Sequence, residues 1–310
     1  MLFRCLLIPI LIFIHSSLIG QDTIKADKKN FFLGKQPDYH RFYIGVRFPQ
    51  TYYFKSDLHL SGSVQQSDMS MADFNVTITD LKSHDDGFVY AAVIRTLRNK
   101  AAAPPYVIAF GYKIKNSNFG IAGRIIHYKQ FMEKGQSNHI NGVVGADVYT
   151  NYYGQAPFLI NYENTDGHNI CTIGPEFTYT LLRSKNTKHW IDVTGMIGPG
   201  ISYPRTDATV MTSNGTVIRR NNKYRISGGG MYVETGFSFT VCNFLTFLLE
   251  GDFTVIRNSH MNIISDAVNE LFGSQTISAF SWSSGIALTV PVKPFKKLRE
   301  EKKLLKKNTN

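Results

Sequence analysis

The chain is expected to be all-β: an antiparallel up-and-down transmembrane β-barrel of eight strands, with ten to twelve strands as the alternative. Three observations predict it. Segments of about ten residues alternate apolar and polar side chains with period two, the charges inside them fall on one face, and short and long connections alternate along the chain.

The N-terminus comes first. Met1-Leu2-Phe3-Arg4 carries one positive charge, and an apolar run from Cys5 to Ile14 follows, broken only by Pro9. His15, Ser16 and Ser17 then lead to Gln21-Asp22. This is the order of a secretory signal peptide, and the run is shorter than the roughly 20 residues that span a bilayer as a helix. Cleavage is placed after Gly20, with Leu18 in a position that usually holds a small residue. The expected organisation is a signal peptide over 1–20, an N-terminal periplasmic segment over 21–40, the barrel over 41–293 and a basic periplasmic tail over 294–310.

The strands follow in order. Phe42–Phe48 puts Phe42, Ile44, Val46 and Phe48 on one face and Tyr43, Gly45 and Arg47 on the other. Tyr106–Ile114 turns at Lys115-Asn116-Ser117 into Phe119–Phe131, whose polar face holds Arg124 and Tyr128. Ile173–Arg183 sets Ile173, Pro175, Phe177, Tyr179 and Leu181 against Gly174, Glu176, Thr178, Thr180 and Leu182. Trp190–Tyr203 places Asp192 opposite an apolar row from Ile191 to Tyr203. Tyr224–Val241 carries Glu234 on its polar face, and a very short turn leads into Leu245–Ile256. There Leu245, Phe247, Leu249, Phe253 and Val255 share one side, with Glu250 and Asp252 at the middle of the other. Phe280–Val292 closes the set.

Successive side chains point to opposite faces of a strand, so each apolar row faces outward and each charge inward. Pro175, Pro199 and Pro291 fall on the outward face, where a missing N–H is awkward for a paired strand. The long connections begin near Gln50, Met132, Arg205 and Arg257. Phe74–Leu81, 87–97, Val143–Tyr149 and Phe158–Tyr162 are also β-rich. They are expected either to pair above the membrane or to enlarge the barrel.

The inward charges are Arg47, Arg124, Glu176, Asp192, Glu234, Glu250 and Asp252. An eight-stranded barrel is just wide enough for side chains to fill. A lone buried charge is costly and a paired one tolerable, so these residues are expected to form a salt-bridge network that plugs the lumen. The acids outnumber the two arginines, which leaves lumen water, Lys113 or a neutral carboxyl to balance the rest. A ligand or ion pathway is the alternative.

The formal net charge is +11, and the tail from Lys293 holds eight Lys/Arg against Glu300 and Glu301. Charge confined to a terminal tail reads as solvated or lipid-touching, and no nucleic-acid partner is expected. Only Cys171 and Cys242 follow the leader. They lie at opposite ends of the strand map and are expected as free thiols.

No assembled catalytic motif is present. The parts that could serve are Ser259, His260 and His168, with Asp166 beside the last, all at one rim. A nucleophile needs a base in reach, and the His-x-Ser-Asn pattern of a lipid A deacylase-like barrel is absent. The histidines have no ligand-like spacing, so no metal and no cofactor are expected. Gly228-Gly229-Gly230 lies inside a strand rather than in a phosphate-binding loop. Trp190, Tyr203, Phe280 and Trp282 suit interface girdles.

Three stretches carry a family likeness: Asn164-Thr165-Asp166-Gly167-His168-Asn169, the run from Gly195 to Thr206 (GMIGPGISYPRT), and Tyr224-Arg225-Ile226-Ser227-Gly228-Gly229-Gly230. Over roughly 42–292 the chain resembles the small outer-membrane β-barrel proteins of Bacteroidetes-type bacteria. The resemblance implies outer-membrane lipid and the barrel-assembly machinery as partners, with an unknown surface ligand open. Phe295 would stand for the terminal aromatic that resembles an assembly signal, but the chain runs on past it. The expected role is structural or surface-interacting, with a barrel enzyme acting on lipid or a narrow pore as alternatives.

Overall fold

The computed structural model describes residues 31–32, 37, 39–85, 104–155, 159–184, 188–211, 217–221 and 223–292. The proposed signal peptide, the basic tail, Phe295 and the β-rich stretch 87–97 lie outside the described residues. In chain order the strands are β1 (Phe31–Phe32), β2 (His40–Tyr53), β3 (Ser56–Gln65), β4 (Met71–Leu81), β5 (Ser83–His84), β6 (Tyr106–Lys113), β7 (Phe119–Met132) and β8 (Asn138–Val144). They continue as β9 (Asp147–Gly154), β10 (Leu159–Ser184), β11 (Trp190–Ser202), β12 (Asp207–Met211), β13 (Val217–Asn221), β14 (Gly228–Val241), β15 (Leu245–Ser265) and β16 (Glu270–Val292).

The barrel is the ring β2-β6-β7-β10-β11-β14-β15-β16, closed by β16 pairing back onto β2 from Val292↔His40 to Ala279↔Tyr53. All its ladders are antiparallel. These are the eight strands that the alternation predicts, and closure removes the sheet edges. The turn between β14 and β15 is tight, with Cys242 and Asn243 both in the left-handed region at φ 52° and 66°. A hairpin turn with both central residues left-handed matches the right-handed twist of its strands. Cys171 and Cys242 are both free thiols.

The alternation is realised as an apolar belt outside. Phe42, Ile44, Ile121, Ile173, Ile197, Phe237, Leu249, Ile286 and Leu288 are all exposed, while their strand neighbours Arg47, Arg124, Glu176, Glu234 and Glu250 are buried. Two local details depart from the sequence reading. A bulge between Thr180 and Leu182 flips the phase of β10, so Leu182 faces outward and Arg183 is buried, the reverse of the expected placement. The prolines also find a place. The β10–β11 ladder skips from Thr172↔Gly200 to Glu176↔Met196, and Pro175 and Pro199 both fall in that gap. The two missing donors thus share one interruption. Pro291 lies beyond Leu288, the last residue of β16 that pairs with β15.

Above the belt the wall continues as a second storey. β16 leaves β2 at Tyr53 and pairs with β3 from Gln275↔Leu58 to Glu270↔Ser63, and the sheet runs on through β4, β8 and β9. On the far side β10 exchanges β11 for β12, which pairs with β13. The β15–β16 hairpin reaches Ser265 and Glu270, where the sequence suggests a long loop. Val143–Tyr149 and Leu159–Tyr162 both lie in this storey. The first contains the β8–β9 turn and pairs with itself, while Leu159–Glu163 takes β12.

This storey has its own dry core. Leu58, Leu60, Phe74, Val76, Ile78, Ile140, Val210, Met261, Ile263 and Leu271 pack together, each nearly or fully buried. In the belt apolar side chains face out; here they face in. Truncating one should therefore loosen the upper storey and spare the ring below. For Leu60→Ala we expect a local loss of about 2–5 kcal/mol, the usual cost of such a core truncation. Limited proteolysis should then cut within 56–81, while the folded ring keeps its heat-modifiable gel migration.

Candidate functional site

The lumen is built from the inward positions of all eight ring strands. At mid-height β2 supplies Arg47, β7 Arg124, β10 Glu176, β14 Glu234, and β15 Glu250 with Asp252. Glu234 is the hub. It accepts from Arg47 Nη2 at 2.6 Å, Arg124 Nε at 2.9 Å, Arg124 Nη2 at 2.5 Å and the Tyr232 hydroxyl at 2.6 Å. Arg47 Nη1 also donates to Glu250. The Tyr43 hydroxyl donates to Glu176 at 2.7 Å and accepts from Arg124 at 3.1 Å. Tyr128 donates to Asp252.

Small inward residues make the room. A Cβ on Gly236 would lie 2.4 Å from Glu250 Cγ, one on Gly111 2.5 Å from the Tyr43 ring, and one on Gly285 2.7 Å from Arg47 Cγ. Large and small side chains therefore interlock across the ring, as small barrels require. Charge-assisted hydrogen bonds to both guanidinium groups offset the desolvation of ions that are almost completely buried.

Below the hub Asp192 accepts from Thr180 Oγ1 at 2.7 Å and lies 3.8 Å from Arg41, whose guanidinium sits over the Trp190 ring. Arg41 is absent from the sequence-level set, although its odd position puts it in phase with Tyr43 and Arg47. Starting the first strand at Phe42 hid it. Tyr43, Tyr128 and Tyr232 are the other network members that a search for charges misses. A cavity of about 20 Å³ remains here, lined by Arg41, Trp190, Asp192, Thr240, Thr246 and Thr289 among others. That is room for about one water.

Above the hub the filling turns to uncharged polar groups. His168 Nε2 lies 3.1 Å from Ser202 Oγ and 3.3 Å from Asn258 Nδ2, and Ser227 donates to Asn258 at 2.7 Å. Asn164 donates to Gln130 at 3.0 Å and accepts from Thr206 at 3.0 Å. The dry core of the upper storey lies above them.

The three residues considered for catalysis are not brought together. His168 is buried inside the ring. Ser259 and His260 sit on a bulge of β15, both exposed, with their backbone N–H groups donating to the Ser227 carbonyl. The Ser259 hydroxyl donates to that same carbonyl at 3.3 Å, and the His260 ring stacks on Phe272 at 3.9 Å. The Asp166 side chain lies outside the described residues. No group of three or more His, Cys, Asp or Glu suited to a metal occurs among the described residues.

Comparison with protein-family models and with curated sequences finds no match. Among solved structures the chain is similar to Ail, the attachment invasion locus protein of Yersinia pestis, at 10% identity and TM-score 0.30 over 82% of this chain and 99% of that one. It is also similar to the outer membrane protein OprG from Pseudomonas aeruginosa, at 10% identity and TM-score 0.36 over 84% and 99%. A third is the outer membrane protease OmpT from Escherichia coli, at 10% identity and TM-score 0.32 over 84% and 99%.

Proposed function

We propose that this chain is an integral outer-membrane β-barrel with a plugged lumen, exported by its N-terminal segment, whose upper storey stands outside the cell in a structural or surface-interaction role. The apolar belt supports the membrane placement. From Leu245 to Val255 it has the length of a tilted transmembrane strand, about 9–11 residues. The tight turns lie at one end and the tall hairpins at the other, which suits periplasmic and extracellular faces respectively. Outer-membrane lipid is then the main partner, the barrel-assembly machinery inserts the ring, and the tail from 294 lies in the periplasm.

The observation that carries the plugged reading is the Arg47–Glu234–Arg124 cross-section. Its side chains occupy the middle of the ring and bond to one another rather than lining a hole. A pore needs a continuous aqueous path, and the dry core above the hub adds a second obstruction. In planar bilayers the purified protein should give no large steady conductance steps. Reproducible steps of that kind would overturn the plug. Recovery in the soluble periplasm, without heat-modifiable migration, would overturn the membrane reading itself.

A further inference from the structure

The outer wall immediately above the belt is not uniform. Over β11, β14, β15 and the segments that extend them it is basic. Arg257 follows Val255 outward on β15, two residues beyond the last apolar belt position, or roughly 5 Å higher at about 3.4 Å per residue and a 35–45° tilt. Arg225 lies higher, in the stretch leading into β14, its Nη1 3.3 Å from Asn262 Oδ1, five residues beyond Arg257 on β15. Arg205 follows β11 with its guanidinium 5.8 Å from the Tyr224 ring centre. Lys223 is exposed next to that tyrosine, and Tyr224 and Ile226 are themselves 51% and 69% exposed. Across the described residues 203–211, 223–227 and 255–262 the acid present is Asp207.

The exposed face of β2 joins this sector: the Phe54 ring lies 6.1 Å from the Phe253 ring of β15, edge to face, and Lys55 beside it lies 3.8 Å from Asp80. One sector therefore combines exposed apolar and aromatic side chains at the boundary with arginines one step higher. The apolar part suits the start of acyl chains. The guanidinium groups suit phosphate, which they grip bidentately. Ser259 and His260, exposed on the same face, add hydrogen-bonding groups.

We propose that Arg205, Lys223, Arg225 and Arg257 form a binding site for the phosphates of an outer-leaflet glycolipid headgroup, on the wall of the barrel at headgroup height. The proposal rests on the membrane reading above. The bis-phosphorylated disaccharide headgroup of such a lipid carries a phosphate at each end, which suits several basic side chains spread along the wall rather than a single cation.

The test is native mass spectrometry of the detergent-folded protein titrated with diphosphoryl lipid A, with dephosphorylated lipid A, and with inorganic phosphate as competitor. Wild type should hold the diphosphoryl lipid and not the dephosphorylated one. The triple variant Arg205→Ala/Arg225→Ala/Arg257→Ala should bind about a hundredfold more weakly, the loss expected for three basic side chains at an anionic lipid surface. Lys134→Ala, just beyond β7 and four strands from β15 around the ring, should bind as wild type. Heat-modifiable migration reports folding in each sample. Should the triple variant fail to fold, Arg257→Ala alone must still weaken binding several-fold. Equal binding of the dephosphorylated lipid, or unchanged binding by a folded triple variant, would overturn the site. Displacement of the lipid by low millimolar phosphate would overturn the lipid as its source. A wild-type protein without heat-modifiable migration would instead sink the membrane reading.

Discussion

Glu234→Ala should be among the most damaging single substitutions in the ring. The carboxylate accepts four hydrogen bonds, three of them from two arginines buried in the lumen. Removing it leaves both almost completely buried guanidinium groups short of their counter-charge. Breaking a buried pair in this way typically costs about 3–5 kcal/mol. Guanidinium-induced unfolding of the detergent-folded protein should show a midpoint shift of that size. Reversing Glu234 to Lys should be worse still, because it adds a third cation. A triple replacement of Glu234, Arg47 and Arg124 by apolar residues of similar volume should be milder than Glu234→Ala, since it removes the orphaned charges as well. If Glu234→Ala unfolds like wild type, the network contributes filling and not stability.

Leu249→Arg tests the outside of the same wall. Leu249 is 53% exposed at the middle of the belt, flanked on its neighbours by Phe237 and Ser284. In water an exposed Leu→Arg change is nearly neutral, within about 0.5 kcal/mol. On the lipid face of a barrel at the bilayer midplane an arginine costs about 2–4 kcal/mol. Unfolding from lipid vesicles should reveal the larger figure, and Thr276→Arg, above the belt, the smaller one. Equal small effects at both positions would remove the reason for placing the belt in a membrane.

How far the sequence reveals this architecture depends on which face is apolar. In the belt the outward row is apolar throughout, so period two persists for ten residues and each ring strand is legible. Above the belt the apolar face moves indoors. On β15 the outward Phe253 and Val255 give way, after the bulge between Asn258 and Met261, to inward Met261 and Ile263. On β16 the change happens with no bulge: even-numbered Phe280 and Trp282 face out, while odd-numbered Leu271, Ile277 and Ala279 face in. A search for one continuous apolar stripe ends at that switch and reads the rest as loop. β3 and β12 escape for the same reason.

The site shows a similar division. Charges set singly among apolar residues mark themselves, so Arg47, Arg124, Glu176, Asp192, Glu234, Glu250 and Asp252 can be named from sequence. Which of them meet depends on register and on the size of the residues between them. Gly236 beside Glu250 and Gly111 under Tyr43 decide that, and they acquire meaning only in three dimensions. Arg41 and the three tyrosines carry hydrogen bonds and packing without looking unusual in the pattern.

Strand β16 has one further implication, for the rate at which the molecule forms. It pairs with β2 below and with β3 above, so a single strand seals both storeys. The sealing contacts join His40 to Val292 and Leu58 to Gln275, partners from nearly opposite ends of the described chain. Contacts so distant in sequence are slow to form, because the closure entropy is spent before they give any return. The hairpins can zip early and locally. The last event, and the slowest, is then one seam running the full height of the wall, after which the dry core and the charged hub become inaccessible together.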